Sequence, residues 1–187
     1  MEHQAILATW EAFYVIIGTS AAALTGLQFV VIALLTDVQR RSSPGALAAY
    51  ATPQVVHFGA VLLLSAILSA PWPSLTMPDI LVGLLGVAGV VHAIVTTLRA
   101  RRQTAYAPVL EDWIWHSILP FISYANLVIA ALMLGSQPEL ALFLCGGSAV
   151  VLVFVGIHNA WDTATYLVES SQMEERAPIP APPSTDA

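Results

Sequence analysis

The feature that most constrains this chain is the way its six arginines fall between long apolar runs. Five such runs, at about 11–36, 51–70, 79–99, 113–134 and 139–161, each hold the ~20 mostly apolar residues that cross a hydrocarbon layer at ~1.5 Å rise per residue. The breaks between them read "DVQRRSSPG", "PWPSLTMP", "RARRQTAYAPVLED" and "GSQPE", with Pro or Gly in each, as expected where membrane helices stop and turn. Arg40 and Arg41 follow the first run, Arg99, Arg101 and Arg102 the third, and Arg176 the fifth. Residues 1–10, 71–78 and 135–138 carry no cation. Cationic residues near span ends are retained on the cytoplasmic side, so the pattern predicts an N-terminus outside and a C-terminus inside. The tryptophans fit the same frame: Trp10 and Trp72 at the outer boundary, Trp113, Trp115 and Trp161 at the inner one. The expected fold class is therefore an all-α, five-helix transmembrane bundle in the lipid bilayer.

Composition excludes other classes. Charged residues make up 10% of the chain and hydrophobic ones 57%, against a charged share near a quarter in soluble domains. The formal charge of −6 owes much to Glu169, Glu174, Glu175 and Asp186 near the C-terminus, which excludes nucleic acid as an expected partner. The single Cys145 can form neither an intramolecular disulfide nor a cysteine metal knuckle. The N-terminus lacks the basic n-region of a signal peptide, and its apolar run is too long for one, so it is expected to stay as the first span. Residues 1–168 read as one transmembrane domain, including a short cytoplasmic extension of the last helix. Residues 169–187, ending in "APIPAPPSTDA", read as a disordered Pro-rich cytoplasmic tail. No repeat of 20–50 residues is visible.

The first span carries two stripes. Gly18, Ala22 and Gly26 recur every four residues and let another backbone approach, either a neighbouring helix of the same chain or a second copy or other membrane protein. Glu11, Tyr14, Gly18, Ala21, Thr25 and Gln28 form a second, more polar stripe.

Polar side chains inside a bilayer are costly and face the bundle or a watery cavity. The second span has Gln54, His57, Ser65 and Ser69; the third has His92 and Thr96 ahead of Arg99; the fourth has Asp112, His116, Pro120, Ser123 and Asn126; the fifth has His158, Asn159 and Asp162. Counting from the arginine-rich boundaries puts His57 and His92 ~10 Å deep, with His116 and His158 nearer that boundary and Gln28 in the same half. Gln28, Gln54, His57, His92, Thr96, His116, His158, Asn159 and Asp162 are thus expected to line a polar cavity in the cytoplasmic half. His158 and Asp162, four apart, share a helix face, where the carboxylate can orient the imidazole.

Three readings fit this set. The groups can hydrogen-bond across helices and specify packing. They can form a protonatable cavity or pathway. Or His57, His92, His116 and His158 can include ligands of a transition metal or haem, although no H-x-x-x-H pair is present. The absence of lysine excludes a retinal Schiff base and a P-loop, and no G-x-S-x-G elbow or H-E-x-x-H helix occurs, so no motif indicates an enzyme. No arginine lies deep in a span, which favours a proton, cation or neutral solute over an anion. Arg99, Arg101 and Arg102 are expected to meet anionic lipid headgroups.

The stretches "GTSAAALTGLQFVVIAL" and "GIHNAWDTATYLV" resemble the first and last spans of a group of small, five-span bacterial integral-membrane proteins of undetermined activity. The resemblance implies a bacterial inner-membrane location and assigns no functional residue. A proton- or cation-linked, transport-like role is the leading expectation. The alternatives are a non-catalytic scaffold acting through the first helix, and a haem- or metal-binding redox protein.

Overall fold

A computed structural model describes residues 2–39, 45–101 and 110–176. Among these residues all regular structure is helical: α1 (Glu2–Gln39), α2 (Gly45–Ser69), α3 (Thr76–Arg101), α4 (Leu110–Trp113), a π-helical stretch at Ile114–Ile118, α5 (Leu119–Leu134) and α6 (Pro138–Arg176). Helices are the structures that satisfy every backbone polar group within a single apolar segment. Ala5–Val31, Thr76–Arg99, Ile114–Leu134 and Pro138–Thr165 are long and apolar enough to cross a membrane, and α2 adds a shorter apolar portion, Gln54–Ser69.

The helices close a ring in the order α1, α2, α3, α5, α6, with α2 and α6 also packed on each other. That places α6 against α1, α2 and α5, and its span is the most buried of the candidates. Tyr14, Val61, Leu64, Tyr124, Leu127, Leu142 and Leu152 fill the interior. The outward faces are apolar too, with Ile16, Phe29, Leu84, Val91, Leu132 and Phe154 all well exposed. Apolar surface this extensive suits a lipid surround rather than water.

α6 has 39 residues, about 58 Å of helix at ~1.5 Å per residue, which exceeds a ~30 Å hydrocarbon core. It continues through Glu169–Arg176, where the sequence predicted the disordered tail to begin; Glu169, Gln172, Met173, Glu174 and Glu175 are good helix formers. Residues 177–187 lie outside the described part.

α4 and α5 form one rod because Trp113 and Leu119, on either side of the π stretch, both have right-handed helical backbone. The Leu119 N–H donates to the Ile114 carbonyl, five residues back. Pro120 accounts for the irregularity: it lacks an N–H, and in a regular α-helix its ring collides with the carbonyl four residues earlier, that of residue 116.

Candidate functional site

The buried line of α1 is Leu7, Tyr14, Ala21 and Gln28, each seven residues after the last, together with Gly18. Gly18 meets α2 so closely that a Cβ there would sit 2.6 Å from Ser65 Cβ. Ala22 and Gly26 are exposed, and a Cβ on Gly26 would touch nothing within 4 Å. The three small residues therefore do not act as one packing stripe within the chain. A four-residue step overshoots a helical turn by about 40°, so Gly26 has turned about 80° from Gly18, whereas a seven-residue step nearly keeps its face. On the polar stripe, Glu11 is exposed while Tyr14 is fully buried and its hydroxyl donates to the Leu142 carbonyl at 2.9 Å.

The nine expected cavity residues resolve into local groups. In the first, Gln54 on α2 is buried and its Nε2 donates to the Asn159 carbonyl and to Thr163 Oγ1, both at 2.7 Å. Thr163 Oγ1 also donates to the Asn159 carbonyl at 2.8 Å. Asn159 is itself buried, and its Oδ1 has no hydrogen-bond partner. This group ties α2 to α6.

The second group lies between α2, α3 and α5. His57 is 3% exposed, and its Nδ1 is 2.9 Å from the hydroxyl of fully buried Tyr124. The His92 ring stands 6.2 Å from that of His57, centre to centre and nearly perpendicular. His92 Nε2 is buried and without a partner, and Thr96 Oγ1 donates to the His92 backbone carbonyl. Close glycine contacts hold Tyr124: a Cβ on Gly89 would overlap its ring, and one on Gly86 would come 3.1 Å from its carbonyl oxygen. Phe58, beside His57, is admitted by Gly156 in the same way. His116, exposed on the π stretch, acts electrostatically on His57.

The third group is at the end of the bundle that carries Arg99. His158 Nε2 is 3.1 Å from Asp162 Oδ2, with side-chain exposures of 26% and 44%. The His158 ring stacks on Trp115 at 4.1 Å between centres and 20° between planes. Trp115 belongs to the π stretch, and Arg101 of α3 sits 5.3 Å over the ring of neighbouring Trp113. Arg99 and Arg101 are exposed; Arg102 lies outside the described residues.

The four histidines therefore do not assemble a common metal shell. Among the described residues no group of three or more His, Cys, Asp or Glu is placed to hold a metal ion. Depth along the helix set the expectation; rotation about each helix axis sends His158 to Asp162 and Trp115, away from the His57 and His92 pair. Gln28 is buried on α1.

Sequence reasoning missed Tyr124 and gave Trp115 only a boundary role. A mid-span tyrosine between Ser123 and Asn126 is a usable signal, because a buried phenol needs a partner for its hydroxyl. Asn126 itself is used in packing: its Nδ2 donates to the Leu144 carbonyl at 3.1 Å and to Ser148 Oγ at 3.0 Å, joining α5 to α6. Set against protein-family models, curated proteins and solved structures, the chain finds no match in any of the three.

Proposed function

We propose that this is a bacterial inner-membrane protein, N-terminus outside and C-terminus cytoplasmic, that moves protons or cations by way of His57, Tyr124 and His92. One observation carries the reading: two imidazoles and a phenol from three different helices meet inside the bundle, and one imidazole nitrogen there is left without a protein partner. Polar groups at such depth are costly and are retained where they face a pathway or a ligand. Neutral imidazole both donates and accepts, so a His and Tyr pair can pass a proton along a hydrogen bond. His158 and Asp162, nearer the water boundary, suit an entry on the cytoplasmic side.

The test is flux into proteoliposomes under an imposed pH gradient. His57→Gln is expected to lower the flux tenfold or more while the protein still elutes as a single species; unchanged flux would falsify the pathway.

A second reading is favoured by the uncovered Ala22 and Gly26 on α1, which suit close approach by a helix of another membrane protein or a second copy. Gly26→Leu is then expected to abolish recovery of that partner while leaving the fold intact. Gly18→Leu would instead collide with Ser65 and disturb the bundle itself.

A further inference from the structure

We infer that His57 and His92 together form a two-coordinate site for a soft monovalent cation of the copper(I) class. The inference deepens the proposed transport reading by naming the class of cation, and it rests on that reading only for the cation's role as cargo.

What each ring touches points to the nitrogen that would ligate. Tyr124 occupies His57 Nδ1, so Nε2 is the nitrogen left to ligate. With the proton on Nδ1 and donated to the Tyr124 oxygen, Nε2 keeps its lone pair, the arrangement by which outer partners orient ligating histidines. His92 offers a buried Nε2 that no protein donor or acceptor meets. The separation of the ring centres then bears on the geometry. A nitrogen–metal bond of about 2.0 Å plus about 1.2 Å from nitrogen to ring centre gives ~6.4 Å between centres for linear coordination, and roughly 5 Å for a tetrahedral angle. The observed 6.2 Å between ring centres leaves room for the linear case, in which each Nε2 turns to an ion between the rings.

Charge and ligand number narrow the cation further. No third His, Cys, Asp or Glu completes a shell among the described residues, which is too few for the four-coordinate preference of structural zinc. Hard cations such as sodium, potassium and calcium require oxygen ligands, whereas imidazole suits copper. Both ligands are neutral, and the charged group acting on His92 is Arg99, two turns along α3 and exposed. A single positive charge is the least costly to hold in such surroundings. Linear coordination by two neutral nitrogens is what a closed-shell copper(I) ion accepts.

The experiment is an anaerobic titration of the full-length protein in detergent with copper(I), in competition with a chromophoric copper(I) chelator. X-ray absorption at the copper edge then reads the ligand set directly. The expected result is one copper per chain with two nitrogen neighbours at about 2 Å. His57→Phe or His92→Leu should abolish stoichiometric binding, Tyr124→Phe should weaken it about 10–100-fold, and His158→Asn should leave it unchanged. No binding, three or more ligands, a sulfur neighbour, or a Soret band from haem in the purified protein would each overturn the site. If His57 and His92 variants elute as aggregates, the absorption spectrum of the unmodified protein still decides. Copper binding without flux sinks the transport reading and keeps the site; His57-dependent proton flux without copper binding does the reverse.

Discussion

His57 and His158 are the same side chain in the same bundle, and their surroundings divide the molecule into two chemistries. His57 is enclosed, its partner is a neutral phenol, and glycines on α3 let that phenol in. His158 keeps about a quarter of its surface, its partner is a carboxylate, and an indole covers one face. In the interior, geometry decides what the ring can do, because an unpaired polar group there has no water to turn to. At the rim, solvent supplies a substitute for any lost partner, so charge rather than fit is the variable. Interior changes should therefore register mainly as stability and ligand geometry, and rim changes mainly in the signal of the stacked indole.

A set of substitutions tests that division. The largest effect is expected from Gly89→Leu, which drives a side chain into the Tyr124 ring; overpacking of this kind costs ~1–3 kcal/mol or more, read as a fall in unfolding temperature in detergent. Gly147→Ala, on an exposed position with open space around it, should stay within ~0.5 kcal/mol. Tyr124→Phe preserves the ring's packing but strips His57 Nδ1 of its partner, a loss of ~1–3 kcal/mol in the same assay. A value near zero would mean that the interior is wet and that the contrast with the rim fails.

Gln54→Leu removes two interhelical bonds between α2 and α6 and is expected to cost ~0.6–1.7 kcal/mol, the range seen for such bonds in membrane bundles. Asp162→Asn should change stability by less than ~1 kcal/mol, because the pair is partly exposed. Its signature is spectroscopic. Without the carboxylate the His158 ring loses the partner that holds it on Trp115, so the Trp115 fluorescence should change; Trp115→Phe removes that component. An indole signal unchanged by Asp162→Asn would show that stacking alone holds His158, and the contrast with His57 would narrow.

The helical spans were legible in the sequence because hydrocarbon leaves the backbone little choice: "GLLGVAGVVHAIVTTLRAR" must be helical wherever it crosses a bilayer. Position along the helices was legible in one respect too, because His57 and His92, counted to a similar level, stand beside each other. The azimuth of each residue was not. Four-residue spacing grouped Gly18 with Ala22 and Gly26, while α1 packs through Leu7, Tyr14, Ala21 and Gln28. The Tyr124 and His57 bond joins residues 67 apart in the chain, and its local cue is no more than a tyrosine among small neighbours. Trp115 reaches His158 from a stretch whose winding departs from the regular helix, so 3.6-residue counting misplaces its face.

That departure sets a rotational phase. The π stretch holds a wider turn than an α-helix would, and so it fixes how α4, with Arg101 over Trp113, is turned relative to the Tyr124 face of α5. Were the same residues to rewind into an unbroken α-helix, everything before the stretch would swing by about 100° around the axis. Pro120 works as a detent against that swing. Replacing it with alanine would free the rod to choose a second setting, in which Trp115 leaves His158 while Tyr124 keeps its place beside His57.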